Sequence, residues 1–222
     1  MVAAPISTIV RNDALPRRDE HARAQLRAAG THAAPAVLAG DRFLAVAGPI
    51  GQLLPAGGIQ RGSTVALEGP PGSGSTTVAL ILAAATTSVG EWAAVVDPDG
   101  TVGARAAAEL GVALERCAII RRVSADRWPT VVGALLDGVS LVAAAVPPGL
   151  RPGDARRLTA RARERATVLV TLGPWPVEAS LRLYTQGRDW SGLMVGGGLL
   201  ASGSAVDVRV EGKRVRAHAQ AG

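Results

Sequence analysis

A short β-branched and apolar run, Ser63–Leu67, passes through Glu68-Gly-Pro-Pro-Gly-Ser-Gly-Ser75 into a strongly apolar helix predicted over Thr76–Ser88. This order of strand, glycine-rich turn and helix constrains the fold more than any other feature of the chain. Glycine lets the backbone turn tightly and approach a ligand closely. The helix start that follows offers unpaired N–H groups and the positive end of the helix dipole. It is the context in which a phosphate-binding loop, G-x-x-x-x-G-K-[ST], operates. The segment keeps Gly69 and Gly74 at the two ends of the pattern, Gly72 between them, and the terminal Thr76. Position 75 is Ser, where the pattern has Lys.

That single difference changes the expected chemistry. In such a loop the backbone N–H groups cradle the phosphates, and the Lys offsets charge on the terminal phosphates during transfer. Here the backbone nest is kept and the cation is lost. Lys213 is the only Lys among 24 basic residues, so no neighbouring Lys takes its place, and nothing marks out an Arg for the role. The bias toward Arg follows from codon usage in a high-GC genome.

Downstream, strands and helices alternate. Strands are predicted over Trp92–Asp97, Cys117–Arg121, Ser140–Val146 and Thr167–Leu172. Between them fall helices over Val102–Leu110 (closed by Gly111), Arg127–Leu136 (started by Asp126, with Pro129 in the first turn) and Asp154–Arg165. Continuous apolar strands alternating with helices imply a parallel sheet covered on both faces. The end differs: Ser180–Thr185, Leu193–Leu200, Val206–Glu211 and Arg214–Ala217 are strand-like with no helix between them, and Glu211-Gly212-Lys213 makes a hairpin turn. Upstream, 12–30 reads as a helix with Asn12 or Asp13 as N-cap, Pro16 in its first turn and Gly30 as its stop. Residues 31–41 then read as a linker or a short docking element. The expected organisation is an N-terminal helix and linker over 1–48 and one α/β domain over 49–222.

Composition removes several classes. Aromatics are 3% of the chain, too few for the stacking platforms of single-strand readers. The longest apolar stretch, Val78–Ala85, is far short of the roughly 20 residues a membrane span needs. The start lacks the charged, apolar and cleavage regions of a secretory signal, so a cytoplasmic protein, nucleoid-associated when assembled, is expected. One cysteine, Cys117, excludes an internal disulfide framework, and His21, His32 and His218 are too scattered for a zinc site. The net charge of +6 permits salt-sensitive contact with DNA or an acidic partner without identifying one.

Leu53-Leu-Pro-Ala-Gly-Gly-Ile-Gln-Arg-Gly62-Ser-Thr-Val-Ala-Leu-Glu-Gly69-Pro70 resembles the approach to the phosphate loop in the RecA recombinase family. So do Ala93-Ala-Val-Val-Asp97-Pro-Asp99, Ala104-Arg105 and Glu109-Leu-Gly111-Val112 further on. The resemblance spans about residues 50–172. It implies a RecA-like P-loop-NTPase core, a mostly parallel sheet flanked by helices, with a C-terminal antiparallel extension and an N-terminal helix. Carried over position by position, the loop Lys falls on Ser75 and the family's catalytic Glu falls on Asp99, one methylene shorter. The Mg²⁺-associated Asp falls on Ala145, in a strand without any carboxylate. The chain is therefore expected to be no enzyme and to need no cofactor, with weak ATP binding by the residual loop left open.

A RecA-like domain without its catalytic apparatus is similar to the ImuA-type (ImuA-prime) accessory proteins of actinobacterial mutasomes. That resemblance implies a non-catalytic adapter in DNA damage tolerance within the SOS response. It would support error-prone translesion synthesis and induced mutagenesis with an ImuB-like Y-family protein and, indirectly, a DnaE-type polymerase. Two alternatives stand beside it: an ATPase completed in trans by a partner, and a RecA-like regulator of recombinase or of cell division.

Candidate contact surfaces each carry two readings. Arg156, Arg157, Arg161 and Arg165 form either a patch for DNA phosphates or an acidic partner, or the solvated outer face of a sheet-covering helix. Trp175 and Trp190 are either interface anchors or plugs in a core short of aromatics. The N-terminal helix packs on a neighbouring subunit, giving self-association, or folds back on its own core. The last strands offer an edge for β-augmentation or close as a meander.

Overall fold

The computed structural model describes residues 42–191, 203–210 and 213–220. All of them belong to one compact unit, Ala39–Gly222. The expected helix over 12–30, the linker over 31–41, the strand over Leu193–Leu200 and two of the three hairpin-turn residues lie outside the described residues.

Ten strands and five α-helices are present among the described residues. Strand β1 (Phe43–Ala45) pairs antiparallel with β2 (Gly58–Gln60), and helix α1 (Gly48–Leu53) lies between them in the chain. The stretch before residue 48 thus contributes sheet pairing of its own, which the sequence reading did not anticipate. The main sheet follows with β3 (Thr64–Glu68), α2 (Ser75–Ser88), β4 (Ala93–Asp97), α3 (Ala104–Glu109) and β5 (Cys117–Arg121). After these come α4 (Trp128–Leu136), β6 (Leu141–Ala145), α5 (Pro152–Arg165), β7 (Val168–Leu172) and β8 (Leu181–Ser191). The chain finishes with β9 (Gly203–Val210) and β10 (Lys213–Gln220).

The eight-stranded sheet has the order β10-β9-β8-β3-β7-β6-β4-β5. From β8 to β5 every pairing is parallel, and β8-β9-β10 is antiparallel. The fold is therefore a mixed α/β architecture with a six-strand parallel sheet, helices on both faces and an antiparallel extension. Period two along the strands explains how both faces fill. Val65, Leu67, Val95, Leu141, Ala143, Val168 and Val170 enter one buried cluster with α2. Ala66, Val96, Val142, Ala144 and Leu169 enter the other with α4 and α5. Helix α2 is apolar nearly all round because it shares its cluster with Leu44, Ile50 and Ile59 from the β1–α1–β2 segment. A helix enclosed in this way has no solvent stripe to keep polar.

Two expectations are corrected here. Asp126 does not start α4: Arg127 is its N-cap, without a side-chain cap bond, and the turn closes through Trp128 N–H donating to Ser124 O at 2.9 Å. The strand expected over Ser180–Thr185 runs on to Ser191, because β9 supplies partners as far as Ser191 past an irregularity between Thr185 and Arg188.

Candidate functional site

Strand β3 carries the glycine-rich loop at its carboxyl end, and the chain leaves it in a telling direction. From β3 it crosses to β4 and β5 on one side, returns through β6 and β7, and then continues to β8 on the other side of β3. The crevice beyond the carboxyl ends of strands at such a reversal is where open α/β sheets bind ligands. Position alone makes the loop the first candidate.

The loop's interior is occupied by hydroxyl groups. Ser73 Oγ and Thr185 Oγ1 share a hydrogen bond of 2.6 Å, and Ser75 Oγ and Thr185 Oγ1 share one of 2.8 Å. The Thr185 hydroxyl also lies 3.3 Å from the Glu68 carbonyl. Ser73 and Thr185 are 3% and 1% exposed, so these two hydroxyls are sealed, whereas Ser75 is half-buried. Gly69 is required by the same packing. A Cβ there would sit 2.3 Å from Thr185 Oγ1 and 2.5 Å from the Ser73 hydroxyl and the Thr185 carbonyl. Gly74, at φ +99, forms the N-cap of α2, with no side-chain cap bond, and Val78 N–H donates to its carbonyl at 3.0 Å. Gly72, at φ +78, faces open space. At the base of the loop the charge of Glu68 is met by Arg182 of β8, whose other guanidinium nitrogen donates to Val177 O at 2.7 Å.

Thr76 and Ala145 lie near one another at the carboxyl ends of the strands. Both line a small enclosed cavity of about 40 Å³ with Asp97, Thr101 and Val102, room for about one water. Asp97, 4% exposed, is the carboxylate at this cavity, and its oxygens are committed to its own loop. Oδ1 accepts from Thr101 N–H and from the Thr101 hydroxyl, both at 3.0 Å, and Oδ2 accepts from Val102 N–H at 2.8 Å. Arg121 Nε lies 3.8 Å from Oδ2. Asp99 is exposed in the turn that follows. Among the described residues, no group of three or more His, Cys, Asp or Glu could hold a metal ion. A Mg²⁺-nucleotide needs oxygen ligands and a cation at these two points. At these two points the chain carries Ser75 and Ala145, neither of them charged.

The basic helix is sorted by its neighbours. Arg161 pairs through two nitrogens with Asp137 at the end of α4, and Arg165 Nε donates to the same carboxylate at 3.0 Å. The Arg161 guanidinium holds the Asp137 carboxyl below the ordinary carboxylate range and is itself raised by that bond. Arg157 pairs with Asp154. Arg156 is exposed and has no carboxylate partner among the described residues. The structure thus separates Arg156 from the other three candidates. Trp175 is 4% exposed within the cluster beneath α4 and α5, so its ring is core and not a partner's anchor. Its Nε1 has no hydrogen-bond partner. The backbone of Trp190 lies in β8 opposite Ser204.

Sequence reasoning missed Ser73, Thr185, Asp137 and the capping role of Asp97. Asp97 followed by Thr at the fourth position was a local signal for a side-chain-capped turn. Thr185 and Asp137 act across 110 and 24 positions, and no local pattern marks them.

Fold and site together define a mixed α/β domain with a glycine-rich loop at the topological reversal of a parallel sheet. The chain matches the family described as MT3502 N-terminal domain over residues 52–177, more than half its length, and belongs to that family. The matched span takes in the loop, Asp97, Ala145 and α5, and ends before β8 and Thr185. No curated protein matches the chain. Among the described residues no helix is long and apolar enough to cross a membrane.

Proposed function

We infer that the chain is a non-catalytic RecA-like adapter of the ImuA type, acting in DNA damage tolerance. It supports error-prone translesion synthesis with an ImuB-like Y-family protein and a DnaE-type polymerase. The observation that carries the reading is the state of position 75. Where a phosphate loop projects a cation, Ser75 is hydrogen-bonded to Thr185 inside a neutral hydroxyl cluster. Ala145 supports it from the other side, presenting a methyl group at the cavity where a carboxylate would face Thr76. Phosphoryl transfer depends on positioned charge, and losing one such group commonly costs ~10²–10³ in rate. With both gone the domain serves by shape and surface.

Calorimetric titration of the purified protein with Mg-ATP tests the first half of this reading. No heat at millimolar ligand is expected. Binding tighter than about 10 μM, about 7 kcal/mol, overturns it and makes nucleotide-switched assembly the better account. ATP hydrolysis appearing only in a mixed complex indicates completion in trans. The second half is tested by affinity capture with the tagged full chain. Retention of the ImuB-like protein is expected, whereas retention of recombinase filaments or of the division GTPase without it assigns a regulatory role instead.

A further inference from the structure

Helix α5 places its arginines on two faces, and only one of them is neutralised. Arg157, Arg161 and Arg165 are spent on Asp154 and Asp137. Arg156 and Arg163 are exposed and have no carboxylate partner among the described residues. They are seven residues apart, two helical turns, or about 10.5 Å along the axis. Both line an open groove of about 480 Å³ between α5 and the segment that enters β8. Small side chains, Ala160 and Ala179, leave room within it, and Glu178 lines it from the segment opposite α5.

Both walls are anchored to β3, so the groove is formed before anything enters it. Thr159 Oγ1 lies 3.4 Å from Thr64 Oγ1 on one side, and Ser180 Oγ accepts from Thr64 N–H at 3.3 Å on the other. The β2–β3 turn also abuts the helix, because a Cβ on Gly62 would come within 3.2 Å of the Arg163 backbone. A rigid groove avoids the ordering cost that weakens binding to mobile surfaces.

We propose that this groove docks an amphipathic helix of a partner protein that carries two carboxylates two turns apart toward Arg156 and Arg163 and a cation toward Glu178. The charge pattern selects this occupant. Two-turn spacing on α5 matches acidic residues at i and i+7 of a helix lying alongside it, and the alanines admit aliphatic side chains between them. A nucleic acid would bring phosphates against Glu178 and meet only two unpaired guanidiniums, giving a shallow salt dependence. The proposal does not rest on the reading of the glycine-rich loop.

The test uses the full chain and a fluorescent, capped, alanine-based helical peptide with Glu at i and i+7 and Lys at i+3, read by anisotropy. Saturable binding is expected, weakened about tenfold by the same peptide with Gln for Glu and by the Arg156→Ala/Arg163→Ala chain. The Arg157→Ala chain, altered on the neutralised face, is expected to change affinity less than twofold. Glu178→Lys should reverse the preference at i+3, favouring a peptide with Glu there. No saturable binding, binding indifferent to Arg156 and Arg163, or no reversal at Glu178 overturns the proposal. So does tighter binding of a single-stranded oligonucleotide that the Arg156→Ala/Arg163→Ala chain abolishes, which makes the groove a nucleic-acid site.

Discussion

The loops after β3 and β4 leave the same edge of the same parallel sheet and hold their polar groups in opposite ways. The β4 loop is tied to itself: one buried carboxylate, Asp97, takes up two backbone N–H groups and a hydroxyl within five residues. The β3 loop is tied to a strand more than a hundred residues later, through neutral hydroxyls and Thr185. The first arrangement is charged and mostly local, with one further tie to Arg121 of the adjacent strand β5. The second exists only once β8 has paired with β3. The glycine-rich loop itself carries no charged side chain between Gly69 and Thr76, whereas the β4 loop keeps one exposed carboxylate, Asp99, beside the buried one.

The comparison can be broken most severely at Asp97. Asp97→Ala should cost about 3 kcal/mol in chemical denaturation, since charge-assisted bonds are the strong ones and their donors would be left unmet. A loss under about 1 kcal/mol would mean that the loop is held by its backbone alone. Thr185→Val keeps the shape and leaves the buried Ser73 hydroxyl with only the long 3.5 Å contact to Ser75 Oγ, for an expected loss of about 2 kcal/mol. Ser75→Ala removes only the half-buried member of the cluster and should cost about 1 kcal/mol. A double-mutant cycle between Ser73 and Thr185 sharpens the contrast, because coupled hydroxyls give a non-additive result and independent ones do not.

The smallest effect is expected at the surface pair. Arg161 lowers the Asp137 carboxyl in the folded state, so the pair's stabilisation is present above the unfolded carboxylate range near pH 4. It is lost as pH falls through the lower folded value. Asp137→Asn should therefore leave the stability profile below about pH 4 slightly flatter, with little change in its slope at neutral pH, as followed by thermal melts. An unchanged acid limb would show that the exposed pair contributes nothing.

Much of the fold was legible because period and punctuation carry it. Cys117–Arg121 was placed to the residue, and the remaining core strands and helices α2, α4 and α5 to within one or two positions, by apolar runs and flanking Gly or Pro. The candidate site was legible only as a backbone: Gly69, Gly74 and Thr76 lie where the pattern puts them. What fills the loop was not, because Thr185 is an ordinary residue in an ordinary strand until β8 is paired beside β3. The division of the arginines on α5 was hidden for the same reason. Their spacing shows which share a face, whereas Asp137, at the end of another helix, neutralises Arg161 and Arg165, and only the Arg157–Asp154 pair lies within α5.

The central position of β3 also has a consequence for how the chain reaches this state. Val65 pairs with Val170 and with Leu181, so the first strand of the main sheet finds both neighbours about a hundred residues later. At ordinary rates of synthesis it waits about 5–20 s on the ribosome with neither edge covered. Helix α2, apolar nearly all round, waits with it. Such high contact order slows folding and lengthens the exposure of sticky surface. The strand that carries the loop is thus the first of the sheet to be made and among the last to be secured. In pulsed hydrogen exchange during refolding, its amides should become protected together with those of β7 and β8, and after those of the local β1–β2 pair.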